Sequence, residues 1–93
     1  MRNNPEIKQL IAQVLWDVNI PPEEAISIIA DKKRGEARSR LIVKLLKSYN
    51  WYTLLEIFTI EEIIQILNDS KIIDSLWPDS LKEKYINARK ILQ

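Results

Sequence analysis

Half of the basic side chains of this chain lie in one stretch of sixteen residues. Residues 32–47 carry seven of the fourteen Lys and Arg residues and one acid, Glu36, which gives the segment a net charge of +6. At 100° per residue, Arg40, Lys44 and Lys47 fall within about 60° of one another on a helix. A stripe of this kind predicts electrostatic binding of an anionic surface.

Three interpretations of this stripe stay open. It is a solvated helix face in which Glu36 and Arg40 form an ion pair one turn apart, or it contacts nucleic-acid phosphates with help from Lys33 and Arg34. The third interpretation is a binding surface for an acidic protein partner, which the same charges serve equally well.

Two further side chains occupy unexpected positions on their helices. Arg38 projects near the centre of the apolar face of its helix, where we expect its stem to be buried and its charge to reach water. The alternatives are a partner group or a buried carboxylate, for which Asp17 and Asp74 are candidates. Arg38 is therefore included among the candidate contact residues.

The three tryptophans divide into two groups. Trp16 lies about 180° from Ile7, on the polar side of its helix, and we expect a loop such as Pro21-Pro22 to cover it. The alternative is an anchor in a protein interface, where tryptophan is enriched. Trp51 and Trp77 lie beside regular apolar positions and are predicted to be core residues.

The residue types of this chain offer few groups for catalysis. The chain has no histidine and no cysteine, so a general base would have to be Asp, Glu, Lys or Tyr. The acid pairs Glu23-Glu24 and Glu61-Glu62 fall in first turns of predicted helices, where the helix dipole accounts for them. We therefore expect a non-enzymatic protein without a metal ion or cofactor.

The elements that position these residues are predicted to be helices. Asn4 and Pro5 open a first helix that runs to Val18, and Pro22 opens a second that ends around Gly35 as its C-cap. The third helix is predicted over residues 36–48.

Further capping signals divide the second half of the chain. Asn50 caps a short fourth element, Thr59 and Glu62 form a capping box for a fifth, and Pro78 opens the last helix. Residues 71–76 add one helical turn between the fifth element and the last helix.

Ninety-three residues with 46% hydrophobic composition form one core. We expect a single helical domain over residues 1–93, all-α and compact, with five to six short helices in an orthogonal or bundle-like array. The absence of cysteine, of a signal-peptide segment and of any apolar run near 18 residues predicts a cytoplasmic protein.

Three stretches carry a resemblance to a known group of proteins. They are Val14-Leu15-Trp16-Asp17-Val18, the segment 41–51 and the segment 61–67, and their order and spacing are similar to those of a family of small helical prokaryotic proteins. Members of that family are often encoded beside nucleotidyltransferases of the abortive-infection type. The resemblance implies an antitoxin-like or accessory role and assigns no individual site residues.

The predicted function is therefore a helical protein-interaction module, with nucleic-acid binding through residues 32–47 as the alternative. The candidate contact residues are Trp16, Lys33, Arg34, Arg38, Arg40, Lys44 and Lys47.

Overall fold

The computed structural model describes residues 1–2, 4–31, 33 and 35–92 and is all-helical over that part of the chain. It contains seven helices there, one or two more than predicted, because Ser70–Asp74 forms a helix of its own. In chain order they are α1 (Ile7–Val14), α2 (Pro22–Ala30), α3 (Glu36–Ser48), α4 (Trp51–Ile57), α5 (Ile60–Leu67), α6 (Ser70–Asp74) and α7 (Asp79–Leu92).

Helix α1 is shorter than predicted at both ends. The Asn4 side chain accepts a hydrogen bond from the Glu6 amide at 2.9 Å, which holds a turn at Pro5 and delays the helix to Ile7. The helix also ends at Val14 rather than Val18. Residues 15–21 form an irregular segment, which we call the α1–α2 connector.

The connector is packed against the rest of the molecule although it is not helical. Leu15 is buried, and Val18 and Ile20 are half-buried against the core. The Val18 amide donates to the Leu15 carbonyl at 3.0 Å, and the Ile20 amide donates to the Val18 carbonyl at 2.8 Å. The apolar pattern that predicted a longer helix therefore serves a tight turn instead.

The predicted C-cap role of Gly35 is wrong. Helix α2 ends at Ala30, and the Asp31 side chain accepts from the Lys33 amide at 3.0 Å, a local turn that leads the chain out of the helix. Gly35 instead precedes the first residue of α3 and has φ 59° and ψ −119°. Positive φ explains why glycine occupies this position.

The starts of α4 and α5 follow from local capping, as predicted. The Asn50 side chain accepts from the Thr53 amide at 3.0 Å. Thr59 and Glu62 exchange both bonds of a capping box, at 3.2 and 2.9 Å. Helix α7 begins directly after Pro78.

Helix α3 lies at the centre of the fold and packs against α1, α2 and α6. One hydrophobic cluster joins all seven helices, and Tyr85 and Phe58 are its largest fully buried side chains. The molecule measures 33 × 24 × 23 Å. None of the helices in the described part of the chain is long and apolar enough to cross a membrane.

Candidate interaction surface

The basic stripe of α3 forms a ridge on the outside of the molecule. Arg40 and Lys47 are exposed and Lys44 is half-buried. Arg40 donates to the Glu36 carboxylate at 2.6 Å, one turn earlier, and both side chains are more than three-quarters exposed. The predicted ion pair between these two residues is confirmed, and it leaves most of the guanidinium donors of Arg40 unused.

Lys44 joins this ridge to the α1–α2 connector. Its ammonium group donates to the Asp17 carboxylate and forms an ion pair with it. That hydrogen bond from Lys44 holds the pKa of the Asp17 carboxyl below its usual value. Asp17 therefore stays ionised beside the ridge and occupies one of the three donors of Lys44.

Trp16 is exposed, and the expectation that a loop covers it is wrong. Its side chain is 83% exposed. The adjacent residues Leu15 and Val18 turn inward to the core, which leaves the indole on the outer side of the connector. The next residue, Asp17, forms the ion pair with Lys44, so the chain passes beside the ridge directly after Trp16.

An apolar crevice of about 270 Å³ lies where the connector, α2 and α3 meet. Arg40 and Lys44 border it, and its apolar lining consists of Val18, Ile20, Ile28, Ala37 and Leu41. Sites for drug-sized ligands usually measure about 300–1,000 Å³. The crevice has room for an inserted side chain rather than for a whole ligand of that size.

A larger groove of about 600 Å³ lies on the other side of Arg40, between α3 and α6. Its polar groups are mostly engaged within the chain. The Ser39 and Ser75 hydroxyls donate to backbone carbonyls at 3.2 and 2.7 Å, and Asp74 pairs with Lys82 at 3.4 Å. Two cations, Arg40 and Lys71, also line this groove beside these engaged groups.

Arg38 lies apart from the ridge, about 160° around α3 from Arg40. It is half-buried, and its Nε donates to the Ile29 carbonyl at 2.9 Å. It pairs with neither of the predicted carboxylates, since Asp17 contacts Lys44 and Asp74 contacts Lys82. Arg38 thus satisfies a carbonyl in the last turn of α2, where a cation also complements the helix dipole.

The remaining predicted contact residues are Lys47, Lys33 and Arg34. Lys47 lies on it and forms no ion pair with the described part of the chain. Lys33 is exposed just before α3. Arg34 lies outside the described residues.

The other two tryptophans differ from each other. Trp51 is half-buried and packs against the core, as predicted. Trp77 is 69% exposed in the loop between α6 and α7, so its assignment to the core is wrong. Leu76, its neighbour, is the residue that turns inward there.

Sequence reasoning missed the apolar crevice altogether. Three segments build it, and the sequence pattern places Val18 at the end of a helix rather than in a packed connector. The signal that could have found them is the apolar alternation just before Pro21-Pro22, which fits a packed irregular segment.

The acidic pairs take structural roles in the fold. Glu23 pairs with Lys8, and this hydrogen bond holds the pKa of the Glu23 carboxyl below its usual value. Glu62 belongs to the capping box of α5. Over the described residues, no group of three or more Asp, Glu, His or Cys side chains is placed to hold a metal ion.

No family model matches this chain, and comparisons with curated proteins and with solved structures also give no match.

Proposed function

We propose that this protein is a non-enzymatic module that binds a protein partner through one surface. We call that surface the α3–Trp16 face. It consists of Trp16, the ridge residues Arg40, Lys44 and Lys47, and the apolar crevice that Arg40 and Lys44 border. The observation that carries the proposal is the exposed indole of Trp16 one residue before Asp17, which contacts the ridge at Lys44, together with an apolar crevice that Arg40 and Lys44 border.

The composition of this face favours a protein over a nucleic acid. Energetic hot spots of protein interfaces are enriched in Trp and Arg and form around pockets that exclude water. Phosphate binding would use the cations and leave the crevice empty. Two of the three ridge cations also contact carboxylates of the chain itself, the kind of group that an acidic protein surface would supply.

The family resemblance directs the search for this partner. It implies an antitoxin-like or accessory role beside a nucleotidyltransferase of the abortive-infection type. A nucleotidyltransferase encoded next to this chain is accordingly the first partner to test, and an antitoxin-like function is the form of the proposal that such a pair would support.

The test is an affinity capture of the tagged protein from lysate of its native source, divided into nuclease-treated and untreated halves. The variants are Arg40→Glu/Lys44→Glu/Lys47→Glu, which reverses the ridge, and Trp16→Ala. Matched controls are Lys84→Glu/Lys90→Glu, two exposed lysines of α7, and Tyr52→Ala, an aromatic residue that is 78% exposed on α4.

We expect a stoichiometric protein that survives nuclease, and at least about a tenfold loss of its capture in both face variants, as for hot-spot residues. The two control variants should capture it as the wild type does. Equal capture by wild-type protein and both face variants would contradict the proposal. Recovery of nucleic acid that nuclease removes would favour the alternative, with a steep salt dependence of binding as its signature.

A further inference from the structure

Within the α3–Trp16 face, one cation already binds a carboxylate of the same chain. Lys44 at the border of the crevice contacts the carboxylate of Asp17, 27 residues earlier in the chain. The contact is exposed to solvent on both sides, with side-chain exposures of 32% for Lys44 and 48% for Asp17. An exposed pair of this kind exchanges readily with an equivalent carboxylate from outside, because its net stabilisation is small.

The charges around the crevice favour an acidic occupant. The charged residues among those that line the crevice are two cations, Arg40 and Lys44, each of which contacts one carboxylate of the chain, Glu36 or Asp17. Arg40 and Lys44 retain N–H donors beyond those used within the chain. The mouth of the crevice therefore presents cations with free donors around an apolar interior.

Resting on the proposed function, we propose that the α3–Trp16 face binds an acidic peptide segment of the partner. One apolar side chain of the segment enters the crevice, and flanking carboxylates contact Arg40 and Lys44. In the free protein the Asp17 carboxylate contacts the Lys44 ammonium group, and a partner carboxylate takes the place of Asp17 on binding. Asp17 is thus a competitor for the site within the same chain.

Two measurements test this proposal. In the first, a library of random 16-residue peptides is selected on immobilised wild-type protein, and the enriched sequences are compared with those selected on the Arg40→Glu/Lys44→Glu variant. We expect enrichment of peptides with several Asp or Glu residues around one Leu, Phe or Met, and loss of this enrichment on the variant. Absence of enriched peptides, or enrichment of neutral or basic ones, would overturn the proposal.

In the second measurement, the affinity of a selected peptide is compared between wild type and Asp17→Asn. Removal of the competitor should tighten binding about two- to fivefold, the effect of an exposed ion pair. The matched control is Glu23→Gln, which removes an exposed carboxylate paired with Lys8 on α1. Unchanged or weaker binding by Asp17→Asn, or an equal gain in Glu23→Gln, would show that Asp17 does not compete for the site.

A second copy of the chain is the other possible occupant of the face, and sedimentation separates it from a peptide. Concentration-dependent dimers that disappear in Arg40→Glu/Lys44→Glu would assign the face to self-association and overturn the peptide proposal. The outcomes also distinguish failure of the acidic-peptide proposal from failure of the interaction module. Partner capture through the face without an acidic peptide preference leaves the interaction module standing, whereas loss of both removes it.

Discussion

The phenol of Tyr85 is the largest fully buried side chain, and its hydroxyl donates to the Leu46 carbonyl at 2.8 Å. That carbonyl belongs to the last turn of α3, where carbonyl groups lack partners within the helix. Burial raises the pKa of Tyr85 to about 12. One hydroxyl group therefore joins α7 to the end of α3 and must stay protonated to do so.

This predicts how stability depends on alkaline pH. The unfolded phenol titrates near pH 10, so the unfolded state loses its proton first and the wild type loses stability as pH rises from about 10 through 12. Tyr85→Phe should lower the free energy of unfolding at pH 7 by about 1 kcal/mol, because phenylalanine cannot donate the hydrogen bond. Its disadvantage should shrink or reverse above pH 11, measured by urea unfolding of both proteins. A difference that stays constant with pH would contradict this role of Tyr85.

At the scale of elements, two side chains at the start of α5 stabilise its first turn. Thr59 and Glu62 satisfy two backbone amides that the helix itself leaves without acceptors. Helices of only eight residues are marginal in isolation, so the cap and the packing of Ile63, Ile66 and Leu67 act together.

Loss of this cap should be measurable. Thr59→Ala should lower the free energy of unfolding by about 1 kcal/mol, because the Glu62 amide loses its acceptor. Thr59→Ser keeps a hydroxyl and should recover most of that loss, which makes it the matched control. Chemical denaturation measures both variants, and equal destabilisation by serine and alanine would assign the effect to the lost methyl group instead of the cap.

Features that neighbouring residues determine were predictable from the sequence, and features that depend on the path of the chain were not. The caps at Asn50 and Thr59 were predictable because residues three positions apart determine them. The ridge of Arg40, Lys44 and Lys47 was predictable for the same reason, since helical periodicity places them together. The exposure of Trp16 was not, because it depends on the path of an irregular connector. The crevice depends on how three consecutive segments pack against one another, which no local pattern determines.

At the scale of the whole molecule, one hydrophobic cluster connects the helices through α3. Leu45 is fully buried on that helix, whereas Ile91 on α7 is 82% exposed. Because all helices share the cluster and the chain is short, unfolding should be a single cooperative transition.

Leu45→Ala tests this prediction. The cavity should lower the free energy of unfolding by about 2–5 kcal/mol, a large part of the ~5–15 kcal/mol typical of a domain. The transition should remain single when helix content and tertiary signals are followed together by far- and near-ultraviolet circular dichroism. Ile91→Ala is the exposed control and should change stability little. Two separated transitions would show that part of the chain folds independently of α3.

The α1–α2 connector bears on how a partner would meet Trp16. Leu15, Val18 and Ile20 face inward and two backbone hydrogen bonds close turns within this segment, so the fold itself anchors the backbone that carries Trp16. A loop that must become ordered on binding loses conformational entropy, at roughly 1–2 kcal/mol for each residue that is fixed. Here folding has already ordered the backbone, so association restricts mainly the rotamers of the indole side chain.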